Sequence, residues 1–168
     1  MANKTVIWLE DSREQVVDQI IFCENVGLHV KLTSDLAEFA LYLRPFTEED
    51  TFVCLIIVDI MIYGYKDLQD LGIDQDTRGG YETGWQVIKH FLRPENGGPF
   101  SKLPIIIMSS RPLIPQERRR IREFNERSRK RDEPELKYIE KGGLSADMSM
   151  HYKTAFRTYV RQWMEGKW

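Results

Sequence analysis

The sequence predicts an α/β protein built on a doubly wound, five-stranded parallel sheet with helices on both faces. Three observations lead there. Five short apolar or alternating runs interleave with stretches of helical spacing along the 168 residues. One of those runs, Phe52 to Val58, is too apolar to have a wet face, as in strands covered on both sides. Polar or charged residues follow the apolar strands, at the edge where open sheets of this kind place their ligands. Parallel strands joined by right-handed crossovers pack each helix back on the sheet, so the alternation implies two helical layers.

Each element has its own signal. Thr5 to Leu9 is a β-branched and apolar strand that stops at Glu10-Asp11-Ser12. Val16, Val17, Ile20 and Ile21 follow at helical spacing, and Gly27 supplies the stop. Leu28, Val30 and Leu32 alternate with polar residues as a strand does. Ser34 or Asp35 can cap a helix carrying Leu36, Phe39, Ala40 and Leu43, halted before Pro45. The third strand ends in Asp59. Ile60 to Gly84 lacks periodicity and is rich in glycine, which reads as a long loop. Trp85, Ile88, Phe91 and Leu92 resume a helix, and Leu103 to Met108 is a fourth strand ending in Ser109-Ser110. A basic, helical segment fills Pro115 to Arg131. Leu136 to Ile139 makes a short fifth strand before Lys141, and Tyr152, Phe156, Tyr159, Val160, Trp163 and Met164 line a final helix.

Composition narrows the class. Hydrophobic residues make up 42% and charged residues 30%, as in soluble globular proteins. The longest apolar run is far too short to cross a bilayer, and Glu10-Asp11 truncates the only N-terminal apolar stretch, so neither a membrane span nor a signal peptide is expected. Cys23 and Cys54 sit in apolar company, as reduced core residues of a cytoplasmic protein do. A net charge of −2 argues against nucleic acid as a partner of the whole chain.

The strand ends carry the chemistry. In the flavodoxin-like order 2-1-3-4-5, strands one and three are neighbours at the point where the order reverses. Glu10, Asp11 and Asp59 then converge, and like charges that close cannot all stay ionised unaided. A divalent cation resolves the conflict, and an all-oxygen donor set favours a hard ion such as Mg²⁺.

Leu9-Glu10-Asp11, Val58-Asp59-Ile60-Met61, Pro104 through Ser109-Ser110, and Tyr138-Ile139-Glu140-Lys141 together resemble the receiver domain of two-component response regulators, the CheY-like family. The resemblance spans roughly residues 4 to 164 and rests on the order of all the motifs. It implies a single receiver domain over residues 1–168, with Asp59 accepting a phosphoryl group from the phosphohistidine of a histidine kinase or histidine phosphotransfer protein. It further implies Mg²⁺ ligation by Asp11, Asp59 and the Met61 carbonyl, with Glu10 acting through water. Ser109 and Lys141 would contact the phosphoryl oxygens, and Ser109 with Tyr138 would form the switch. The expected activity is limited to the chain's own phosphotransfer and dephosphorylation. The expected form is a stand-alone switch that alters partner binding. The alternative is a pseudo-receiver, a phosphorylation-independent interaction module; the complete set Glu10, Asp11, Asp59, Ser109 and Lys141 speaks against it.

The sequence also departs from the pattern. Gly142 stands where the family usually has a cis proline after the lysine, so a trans bond and a reshaped loop are expected. An insertion at about residues 62–84 exceeds normal connection lengths and reads either as a lid or partner contact or as plain decoration. It contains Asp74-Gln75-Asp76 but lacks the glutamate an EF-hand needs, since Trp85 stands there. A basic segment at about residues 115–133 carries eight cations and two acids between Arg118 and Arg131. It is either a solvated helix or a docking surface on which Arg118, Arg122 and Arg129 meet an acidic protein. The resemblance also implies that Met61 and Arg111, two residues past Asp59 and Ser109, flank the path of attacking water. An apolar Met61 cannot orient that water and Arg111 can shield the phosphoryl group, so slow hydrolysis is expected.

Overall fold

The computed structural model describes residues 4–45, 54–141 and 146–168. The strands are β1 (Thr5–Leu9), β2 (His29–Thr33), β3 (Cys54–Asp59), β4 (Ile105–Ser109) and β5 (Lys137–Glu140). All pair in parallel in the order β2-β1-β3-β4-β5. The helices are α1 (Val17–Asn25), α2 (Leu36–Leu43), α3 (Thr83–Val87, continuing as a π-helical turn over Ile88–Leu92), α4 (Pro115–Arg131) and α5 (Ala146–Met164). Phe52 and Val53 of the expected third strand, and the reshaped loop expected at Gly142, lie outside the described residues.

The period-two alternation of β3 explains the layering. Ile56 and Val58 join Ile7, Leu9, Ile105 and Ile107 under α2, α3 and α4. Leu55 and Ile57 join Val6, Trp8, Ile106 and Met108 under α1 and α5. In α5, Tyr152, Phe156, Val160 and Trp163 recur at three- and four-residue intervals and are all buried, and the Phe156 ring stacks on Trp8 at 5.5 Å. In α1 only half of the expected stripe points inward: Val16 and Ile20 are buried while Val17 and Ile21 are about half exposed. At about 100° per residue these four positions span about 140° of the helix surface, and the side packed on the core takes Val16 and Ile20. Among the described residues no helix is long and apolar enough to cross a membrane.

Residues 62–84 do not dangle. Leu68 is fully buried in the core under α2 and bridges Ile73 in antiparallel fashion. The Tyr65 hydroxyl donates to the Ser34 carbonyl at 3.0 Å and accepts from the Leu36 amide at 3.1 Å, and the Thr77 hydroxyl donates to the Tyr65 carbonyl. The far end is stitched to the chain beyond β3. Ile62 donates to the Gly80 carbonyl at 3.1 Å and Gly84 to the Ile60 carbonyl at 2.9 Å, while the Thr83 hydroxyl donates to the Ile62 carbonyl at 2.9 Å. Sequence periodicity misses these anchors because each is one polar or apolar group rather than a repeating pattern.

Candidate functional site

Strand register sets the site. Leu9 pairs with Val58, Asp59 with Met108, and Ser109 with Glu140. The residues that end β1, β3, β4 and β5 therefore lie along one edge of the sheet. Glu10, Asp59, Ser109 and Lys141 are all buried there, at 5% exposure or less. Asp11 alone of the acidic set is exposed.

One carboxylate oxygen from each of Glu10, Asp11 and Asp59 lies within 4.8 Å of the others. Lys141 sits between two of them, its ammonium donating to Glu10 Oε2 at 2.5 Å and to Asp59 Oδ2. Their other oxygens are also used: Glu10 Oε1 accepts from the Ser12 amide at 3.0 Å and Asp59 Oδ1 from the Met61 amide at 3.1 Å. Asp11 accepts from the Tyr63 amide at 3.0 Å. Burial, reinforced by the neighbouring Asp59 charge and opposed by Lys141, pushes Glu10 up from the ordinary carboxylate range to about 7. One ammonium thus offsets two buried carboxylates only in part.

The donor set fits Mg²⁺. All three groups offer hard oxygens, and opposite ligands of an octahedral Mg²⁺ stand about 4.2 Å apart at bond lengths of about 2.1 Å. A cluster already within 4.8 Å needs little closing.

Beside the acids lies a second network, which the sequence reading does not contain. Ser109 Oγ accepts from the Arg111 amide at 3.2 Å, and the half-buried Tyr138 donates to the Arg111 carbonyl at 3.3 Å. Arg111 does not shield Asp59 as expected. Its guanidinium forks onto Glu117 with two contacts of 2.7 Å, because a buried carboxylate left without a cation is costly. Burial works to raise Glu117, but Arg111 and the Ile114 and Trp85 donors outweigh it and hold the carboxyl below its ordinary value. Glu117 also accepts from the Ile114 amide at 3.0 Å and from Trp85 Nε1 at 2.9 Å. A signal for Glu117 was present: an acid two residues after Pro115 at a helix start is half of a capping box.

Of the basic segment, Phe124 and Ser128 turn inward while Arg118, Arg122 and Arg129 are exposed. Arg118 donates to the Leu113 carbonyl at 3.1 Å and Arg129 pairs with Glu135 at 3.3 Å. All three stand on the exposed side of α4.

No family model matches the chain, and no curated protein matches it. Among solved structures, the N-terminal domain of a response regulator receiver protein from Methanoculleus marisnigri JR1 is similar, at 18% identity over 90% of this chain and 92% of that one, with a TM-score of 0.49. A fusion carrying a yeast Spc42 trimeric coiled-coil segment follows, at 16% identity over 96% of this chain and 81% of that one, with a TM-score of 0.44. The strand order decides the class: five parallel strands run β2-β1-β3-β4-β5 between two helical layers. The fold is flavodoxin-like. The residues that the motifs single out, Glu10, Asp11, Asp59, Ser109 and Lys141, stand at one edge of the sheet.

Proposed function

We propose that the chain is a phosphorylatable receiver of a two-component or phosphorelay system, with Asp59 as the phosphoacceptor. The observation that carries this reading is the pairing of three converging carboxylates with one buried lysine that touches both Glu10 and Asp59. An Asp59 oxygen attacks phosphorus, forming an O–P bond. The N–P bond of the donor phosphohistidine breaks, and its electron pair stays on the imidazole nitrogen, which takes up a proton from solvent. Phosphoryl transfer needs little covalent help beyond an aligned nucleophile and charge neutralisation on the equatorial oxygens. Asp11, Asp59 and the Met61 carbonyl, with Glu10 acting through water, would hold Mg²⁺, which would supply part of that neutralisation. Lys141, already on Asp59, supplies the rest, and the Ser109 hydroxyl can donate to a phosphoryl oxygen.

The donor is a histidine kinase or histidine phosphotransfer protein, and the chain catalyses only its own phosphotransfer and dephosphorylation. Phosphorylation adds nearly two negative charges, enough to reorganise Ser109 and Tyr138 and present the exposed cations of α4 to an acidic protein partner.

The test is intact mass after incubation with acetyl phosphate and Mg²⁺. One phosphoryl adduct is expected, absent in Asp59→Asn and absent in excess chelator. Equal labelling of that variant would overturn the assignment. The lifetime of the adduct is a separate expectation, and with Arg111 committed to Glu117 it rests on Met61. Met61→Asn, which gives water a hydrogen-bonding partner beside Asp59, should speed decay of the adduct about tenfold, less than the roughly hundredfold at which general base catalysis begins, because an amide orients water without taking its proton. An unchanged decay rate would show that Met61 does not control water access.

A further inference from the structure

We infer that Glu117 is a positioning residue for the switch: it holds the Ser109–Arg111 segment in its resting place and carries the release of that segment to Trp85, in the wall of a groove of about 520 Å³ between α3 and α4. This rests on the phosphoacceptor reading of Asp59.

Arg111 is held at three points. Its amide is held by Ser109 Oγ, its carbonyl by the Tyr138 hydroxyl, and its guanidinium by Glu117. The first two partners are the groups that a phosphoryl on Asp59 calls away. The third is a bidentate, charge-assisted pair, the strongest kind of hydrogen bond among the three. The fork therefore sets where Arg111 rests. It also resists the turn of Ser109 toward Asp59, because that turn withdraws the acceptor from the Arg111 amide.

Glu117 cannot follow Arg111 freely. It is 2% exposed, and it holds both the first turn of α4, through Ile114, and the indole of Trp85. A displaced Arg111 must either pull the carboxylate along or leave it with fewer donors, and both outcomes alter the Trp85 hydrogen bond. Trp85 is itself 2% exposed, and a buried N–H seeks a partner, so its ring has to adjust. Its neighbours are groove residues: the Arg120 guanidinium stands 6.0 Å from the ring centre, and Phe124, Lys89 and Arg127 line the same groove. Events at Ser109 thus have a physical route to the α3–α4 surface in addition to the one through Tyr138. If Glu117 served only to cap α4, its replacement would lower stability without disturbing any phosphorylation-linked signal at Trp85.

The experiment follows indole resonances of ¹⁵N-labelled protein, with the Trp85 signal among those of four tryptophans assigned by Trp85→Phe. Acetyl phosphate and Mg²⁺ are added, and the Asp59 adduct is weighed in parallel. In the wild type the Trp85 signal should move in step with the adduct. Glu117→Gln keeps the size and an acceptor for Trp85 but cannot fork Arg111. It should take up phosphate about fivefold faster, the factor that removing a bias of one hydrogen bond gives, and lose most of the Trp85 response. Arg111→Lys, with a single-point contact in place of the fork, should change both readouts in the same direction and serves if the glutamine variant does not fold. An adduct in the wild type with an unmoved Trp85 signal overturns the inference. So do uptake and response in both variants equal to those of the wild type. A wild type that takes up no phosphate overturns the Asp59 reading and this inference with it, and the parallel mass measurement separates that failure from the other two.

Discussion

Lys141→Met is expected to lower stability by about 3–5 kcal/mol at pH 8, the cost of leaving buried charge without its partner, and to abolish labelling of Asp59. Lys141 is the cation paired with both Glu10 and Asp59, so methionine leaves two buried carboxylates facing each other. The loss should depend on pH. In the folded wild type Glu10 titrates near 7 rather than its ordinary 4.5, so the folded state binds its proton more tightly than the unfolded chain does. That group's contribution therefore falls as pH rises from about 4.5 through about 7. Lys141 lowers Glu10; without it the fall extends to higher pH. Urea unfolding at pH 5 and pH 8 should give the smaller loss at pH 5, and Mg²⁺ should restore part of the loss at pH 8. Equal losses at both pH values would mean that the ammonium does not compensate the acids.

Gly84→Ala is expected to be as damaging, for a steric reason. A Cβ there would stand 2.0 Å from the Asp59 carbonyl oxygen and 2.8 Å from Asp59 carbonyl carbon and Ile60 Cα. The obstacle is backbone held in β3 and cannot swing aside as a side-chain tip would. Overpacking of this kind costs about 3 kcal/mol and occasionally more, and relief has to come from moving Asp59 itself. Thermal unfolding and the yield of phosphoryl adduct should fall together. Gly79→Ala is the control: its φ of +67° makes alanine uncomfortable, but nothing lies within 4 Å of the added carbon, so a loss of about 1–2 kcal/mol with normal labelling is expected. Normal labelling of Gly84→Ala would show that the approach of α3 to Asp59 is not critical.

The fold was legible because its signals repeat. Alternation in β3, the intervals of Tyr152, Phe156, Val160 and Trp163, and the cap at Asp35, which accepts from the Glu38 amide at 2.7 Å, each follow from a rule of local geometry. The acids and Lys141 were legible because they end strands, and strand ends in an open parallel sheet share an edge. Glu117, Trp85 and Gly84 were not. Their roles arise from contacts between α3, α4 and the end of β3, between residues far apart in sequence; the position of Glu117 marks a helix cap but does not say that it also takes Arg111 and Trp85. Arg111 was placed beside the phosphoryl group because it stands two residues past Ser109, while a carboxylate six residues on holds it.

The two flanks of Asp59 are fastened differently. The chain after β3 is riveted by main-chain bonds to Gly80 and Gly84. Residues 111–113 across from it are held by the side chains of Ser109, Tyr138 and Arg118. Charge placed between an anvil and a hinge moves the hinge. Substitutions within the insertion should therefore change only how fast the acid site reacts, whereas substitutions across from it, such as Glu117→Gln, should change both that rate and how far the event is felt in the rest of the molecule. If Asp59 accepts phosphate, the speed of that step can then be adjusted from the insertion without altering the response that follows.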